Sequence, residues 1–256
     1  MVGATLYRNI TRFALIGLFV SGFAIAGGPR LHAQAAPDYT AIVAAPDRTD
    51  ADRQLDQRRE PAKTLAFIGA RPGMKVLDMA AVNGYKAELL ARAVAPGGVV
   101  YAQNSATLYE RVKEKLDPRL KTPAAKNIVS DIRDFDDPIP PGIHDLDLVT
   151  FFYFYHDVTY IQVDRPKMLR ALLAGLKPGG IFVVADYSAK PGAGTSVAKT
   201  LHRMDEAIVR SEVEAAGFKL IDEAKFLRNP TDPREEASFH PSVPADVFML
   251  KYQRPQ

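Results

Sequence analysis

Three times along this 256-residue chain a proline–glycine stop is followed within a few residues by an apolar, mostly β-branched run. Arg71-Pro72-Gly73 precedes Val76-Leu77-Asp78, Ala95-Pro96-Gly97-Gly98 precedes Val99-Val100-Tyr101-Ala102, and Lys177-Pro178-Gly179-Gly180 precedes Ile181-Phe182-Val183-Val184-Ala185-Asp186. Proline cannot continue a helix and glycine supplies the left-handed cap, so each device closes a helix and opens a strand. Residues apolar at successive positions need cover on both faces, the condition of a parallel sheet between helical layers. Further runs at Asn127–Val129, Leu146–Phe152, Lys219–Asp222 and Asp246–Tyr252 bring the strands to seven. Helical segments separate them until the last pair. The expected fold class is therefore α/β: a Rossmann-like, doubly wound seven-stranded sheet, mostly parallel, with a terminal antiparallel hairpin strand. Helices are predicted over 50–59, from Pro61 to Ile68, and over about 196–216.

The first strand leads into the most informative segment, Val76-Leu77-Asp78-Met79-Ala80-Ala81-Val82-Asn83-Gly84-Tyr85. It reads as a buried strand ending in an acid, a tight loop, and a helix with Ala87, Leu89, Leu90 and Ala93 on its apolar face. This arrangement resembles the opening unit of the class I S-adenosylmethionine-dependent methyltransferases, whose first strand ends in an acid followed by glycines at alternate positions. Asp78 matches the acid, and Ala80, Val82 and Gly84 fall on the three glycine positions. Alanine is a mild replacement. Valine is a harder one, because a left-handed φ costs an L-residue about 1–2 kcal/mol. Asn83 beside it tolerates such a turn.

The resemblance covers roughly residues 60–252 and implies S-adenosylmethionine as cofactor, with Val82 and Asn104 as the departures from its binding pattern. Asn104, at the end of the second strand, falls where the family holds the ribose with an acid; an amide accepts one hydroxyl proton and donates to another oxygen. Asp131 matches the third-strand acid that meets the adenine amino group, with Ile132 beside it, and a turn cap is its other reading. After the fourth strand, Phe152-Tyr153-Phe154-Tyr155-His156-Asp157 forms the lip where donor faces acceptor. His156 with Asp157 is the candidate catalytic pair, a base for an attacking hydroxyl or amine, the alternative being that Asp157 caps the next helix. His202, with Asp186, belongs to the same neighbourhood, yet none of these residues shows a ligand spacing such as His at i and i+4, so no metal is assigned. Gly192-Ala193-Gly194-Thr195-Ser196 reads as a flexible loop able to act as a lid.

Residues 1–35 carry Arg8, Arg12 and Arg30, no acid, an apolar core from Phe13 to Ala26, and Ala33-Gln34-Ala35 as a small-x-small site. That is the pattern of a secretory signal peptide, its core shorter than the ~20 residues of a membrane span. An uncleaved N-terminal membrane anchor is the alternative. Either reading predicts a periplasmic or otherwise extracytoplasmic domain, with residues 36–50 as a linker and 51–256 as the folded part. The chain resembles a bacterial subgroup of predicted methyltransferases that carry signal peptides. Because the leader holds three of the 33 basic residues and none of the 30 acidic ones, its removal leaves equal numbers of each. No electrostatic case for nucleic acid or an anionic membrane remains. Zero cysteine excludes disulfides, thiolate catalysis and cysteine–metal sites. The functional expectation is methyl transfer from S-adenosylmethionine to a small molecule; the alternative is a non-catalytic methyltransferase-like binding protein that has lost donor affinity. The acceptor and the oligomeric state are not legible.

Overall fold

One seven-stranded mixed sheet organises the described residues. The computed structural model describes residues 1–3 and 35–256. The signal-peptide expectation thus lies almost wholly outside the described residues, and no helix among the described residues is long and apolar enough to cross a membrane. Residues from 35 onward belong to one compact unit.

Within the expected linker the chain forms helix α1 (Tyr39–Val43), started by Asp38, whose carboxylate accepts from Ala41 N. Tyr39 donates its hydroxyl proton to Ala70 O at 2.7 Å, and Arg48 forms a buried double hydrogen bond with Asp56. Residues 39–48 are thus part of the domain, correcting the linker boundary at 50. Helix α2 (Asp50–Arg59) is capped by Thr49, and Glu60 in left-handed backbone breaks it from α3 (Pro61–Ile68).

The core then alternates strand and helix: β1 (Lys75–Met79), α4 (Tyr85–Val94), β2 (Val99–Asn104), α5 (Ala106–Leu120), β3 (Ile128–Ile132), β4 (Leu146–Phe152), α6 (Arg165–Gly175) and β5 (Leu176–Tyr187). The first five strands pair in parallel, while β7 (Val247–Gln253) runs antiparallel between β5 and β6 (Lys219–Ala224), giving the order β3-β2-β1-β4-β5-β7-β6. The expected terminal hairpin is present. Strand β5 begins earlier than the apolar run, because Leu176 already pairs with Leu146 ahead of a register shift.

Successive side chains of each strand feed opposite layers. Leu77, Val149, Phe151, Phe182 and Leu250 pack with α6 and with α8 (Glu206–Ala215); Val76, Leu148, Val183 and Met249 pack with α3 and α4. Chain direction across the sheet reverses between β1 and β4, so the crevice at their carboxyl ends is the place for a ligand. The helix expected over 196–216 is two pieces, α7 (Ala198–Leu201) and α8, separated by His202 in left-handed backbone at φ +49°. Asp205 starts α8 by accepting from Ala207 N. That break decides where His202 points.

Candidate active site

The loop after β1 keeps left-handed backbone at all three glycine-pattern positions: φ is +47° at Ala80, +53° at Val82 and +80° at Gly84. Two amides from the end of β2 hold it there. Ala80 N donates to Gln103 Oε1 at 3.2 Å, Val82 N donates to Asn104 Oδ1 at 2.8 Å, and Asn104 Nδ2 donates back to Val82 O at 3.2 Å. Both amides are buried. The amide of Asn104, the expected ribose contact, thus bonds the loop backbone with one acceptor site and one donor. Asp131 is paired with Arg133 Nε at 2.8 Å, and Ile132 is 48% exposed. Gly84 survives for a packing reason: a Cβ there would lie 2.9 Å from Arg119 Cδ and 3.0 Å from Leu116 Cδ1.

Beside this loop lies a cavity of about 300 Å³, walled by residues 80–83, Lys86, Phe152, Tyr153 and, from the N-terminal helices, Arg59 and Leu65. Asp78 is fully buried, accepts from Thr150 Oγ1 at 2.7 Å, and stands 2.8 Å from Lys86 Nζ. Beside this ion pair, Lys86 Nζ and Asp78 Oδ2 are each left without a hydrogen-bond partner. Burial pushes the Asp78 carboxyl up and the Lys86 ammonium down, each partly opposed by the other's charge. Lys86 also sits 4.2 Å from the Phe152 ring centre. Arg59 stacks 3.4 Å over the Tyr153 ring, and its Nη1 is another buried donor without a partner. A buried unpartnered polar atom costs about 1–3 kcal/mol, so such atoms around one hollow mark a ligand site.

At the lip, His156 is 3% exposed and has both ring nitrogens engaged. Nδ1 lies 2.8 and 3.0 Å from the Asp186 oxygens, while Nε2 faces Asp157 Oδ2 at 3.0 Å and His202 Nδ1 at 3.1 Å. Burial works against a charged ring, but Asp186 and Asp157 outweigh it and push the imidazole up to about 10. The expected His156–Asp157 pair is present, with both ring nitrogens engaged by Asp186, Asp157 and His202, so His156 turns no free nitrogen toward an incoming acceptor. His202, expected in the same neighbourhood, meets the His156 ring because the break between α7 and α8 turns it there. The loop read as a lid is tethered: Gly192 N and Gly194 N both donate to Asp205 Oδ2. Arg59 and Lys86 carried no motif; position alone, at the end of α2 and two residues past Gly84, could have flagged them.

This sheet order with its ligand crevice is the fold of the class I S-adenosylmethionine-dependent methyltransferases. A methyltransferase of that dependence from Aquifex aeolicus superposes with TM-score 0.55 at 20% identity over 80% of this chain and 99% of its own. A putative sarcosine dimethylglycine methyltransferase from Galdieria sulphuraria gives 0.56 at 17% identity over 81% and 91%. In sequence, the chain is similar to the ubiquinone/menaquinone biosynthesis C-methyltransferase UbiE of Idiomarina loihiensis, 32% identical over 135 residues, which is 52% of this chain and 49% of that one. The chain thus spans about half the length of the curated relatives it matches. No family model matches it.

Proposed function

We propose that this protein transfers a methyl group from S-adenosylmethionine to a small, planar or hydrophobic acceptor, outside the cytoplasm. The observation that carries the reading is the left-handed loop at residues 80–84 bordering a hollow lined by two cations with a buried nitrogen lacking a hydrogen-bond partner, Arg59 at Nη1 and Lys86 at Nζ, the latter ion-paired with Asp78. The residues fit the charged end of the donor: Arg59 Nη1 and Lys86 Nζ suit its carboxylate, and the faces of Phe152 and Tyr153 its sulfonium. When bound, the donor supplies an electrophilic methyl carbon. The chain's share of the work is positioning and exclusion of water, which supply most of the acceleration in such a transfer.

A second hollow, about 430 Å³, shares Arg59 and Tyr153 with the first and is lined by Arg58, Tyr187 and Phe226. Its aromatic and cationic lining supports a planar, electron-rich acceptor. The relatives' role in ubiquinone and menaquinone biosynthesis agrees with such an acceptor. The apolar leader with its small-x-small site supports export.

Calorimetric titration of the purified protein with S-adenosylmethionine and S-adenosylhomocysteine tests the reading. Micromolar binding that weakens at least tenfold in Arg59→Met supports it. Because Asn104 is spent on Val82, a non-catalytic binding protein is the second reading. It prevails if neither the wild type nor Val82→Gly binds either ligand.

A further inference from the structure

His156, Asp157 and His202 come from two segments that the sequence keeps 45 residues apart, yet one donor atom of each lies within 4.8 Å of the others. Asp186 fixes the chemistry of this group. Its carboxylate accepts from His156 N at 2.8 Å, from Tyr187 N at 2.8 Å and from the His156 ring at Nδ1, so the neutral imidazole carries its proton on Nδ1 and presents a lone pair at Nε2. Asp157 is likewise oriented: Oδ1 accepts from the Tyr160 hydroxyl, leaving Oδ2 directed at His156. Three electron-pair donors then converge, His156 Nε2, Asp157 Oδ2 and His202 Nδ1. A single shared proton bridges only one pair of them.

We propose that these three atoms bind a divalent transition-metal ion of the zinc type, with Asp186 as the positioning residue for His156. The separations from Nε2 are 3.0 and 3.1 Å. Metal–ligand bonds of about 2.0–2.1 Å in a tetrahedral shell set neighbouring donors roughly 3.3–3.4 Å apart, so the two Nε2 separations need a few tenths of an ångström of expansion, while Asp157 Oδ2 and His202 Nδ1, within 4.8 Å of each other, settle to the same spacing around the ion. Two imidazoles and one carboxylate suit zinc or cobalt, whereas magnesium demands a shell of oxygens. His202 holds φ +49° in a residue with no glycine freedom, a local strain of the kind that concentrates at binding sites. Asp157 also borders a separate hollow of about 400 Å³ together with Phe135, Phe154 and Tyr160. A three-ligand ion there keeps a fourth position for water or an oxygen ligand, the arrangement of catalytic rather than structural zinc. The site stands independently of donor binding.

Zinc alone is the probe, in competition with a chromogenic chelator on the full protein stripped of metal, with magnesium as control. One equivalent of zinc is expected, with affinity at least 100-fold above that for magnesium. His202→Asn keeps a residue tolerant of left-handed backbone and should lower zinc affinity more than 100-fold, while Asp186→Asn should lower it about 10–100-fold through ring orientation. Circular dichroism establishes that each variant is folded, and cobalt substitution should give visible ligand-field bands that His202→Asn abolishes. Absence of stoichiometric zinc in the wild type, or zinc affinity unchanged in a folded His202→Asn, overturns the proposal and leaves the cluster as a proton-bridged ion pair.

Discussion

Asn104 holds Val82 from both sides, accepting from its backbone N–H at 2.8 Å and donating to its carbonyl at 3.2 Å. This reciprocal pair explains how a β-branched residue stays at φ +53°, where strain costs about 1–2 kcal/mol. Two buried hydrogen bonds of about 1 kcal/mol each offset that strain. It also explains why an amide stands where the methyltransferase pattern has an acid: a carboxylate can accept from Val82 N but has no proton for Val82 O. Asn104→Asp is therefore expected to destabilise the fold by about 1–3 kcal/mol, read as a lower urea midpoint at unchanged slope, and to leave donor affinity no better. A variant as stable as the wild type that binds the donor more tightly would show that the amide is not structural.

Gly84 gives a second prediction because its two companion positions tolerate side chains. Ala80 and Val82 line the cavity and pack with the core, whereas a Cβ at 84 would meet Arg119 Cδ at 2.9 Å. Arg119 cannot retreat freely, since Nη1 and Nη2 hold Asp52 and Glu88 and Nε donates to Asn83 O. Gly84→Ala should cost about 2–4 kcal/mol, adding backbone strain to overpacking. Ala80→Gly should stay within about 1 kcal/mol of wild type, its relief of left-handed strain offset by the added chain entropy of glycine. Equal midpoints for the two variants in chemical denaturation would remove this account of the surviving glycine.

The architecture was legible because it follows from one-dimensional signals. Pro–Gly stops and doubly apolar runs such as Ile181–Ala185 leave few arrangements besides a covered parallel sheet. The site was less legible, since its partners are distant in sequence. Val82 looked like an obstruction until its contact with Asn104, 22 residues away, was seen. His202 looked like one residue in a continuous helix, and nothing local announces that Asp205 would start a new one. The segment 39–48 read as a linker because its alanines and prolines lack periodicity, although Tyr39 and Arg48 anchor it by single long side chains.

Arg59 divides the two hollows and supports a third prediction. Its guanidinium covers Tyr153 at 3.4 Å and lies 5.7 Å from the Tyr187 ring centre. Arg59→Met preserves length and apolar bulk but removes the charge and the unpartnered Nη1, so stability should change by less than about 1 kcal/mol. A ligand carboxylate loses a charge-assisted hydrogen bond worth about 1.5–3 kcal/mol, a tenfold or greater fall in donor affinity by titration. Unchanged affinity would place the donor's charged end elsewhere.

Acid stability is the fourth prediction, and its sign follows from two carboxylates. Burial alone would raise Asp52 and Asp232, yet Arg119 at 2.8 Å from the first and Arg203 at 2.7 Å from the second hold both below the ordinary aspartate value. A depressed folded pKa contributes stability that is complete above the unfolded value of about 3.9 and is lost as pH falls through the folded value. Asp78 runs the other way, because burial pushes it up and acid relieves it. The paired carboxylates should dominate, since protonating Asp232 leaves Arg203, fully buried, without a counter-charge. Melting temperature is therefore expected to hold between pH 7 and about 5 and to fall steeply below pH 4. Asp232→Asn should lower stability at pH 7 by about 3–5 kcal/mol and flatten the acid limb. If thermal melts of wild type and variant keep parallel slopes between pH 5 and 3, the buried Arg203–Asp232 pair is not what acid breaks.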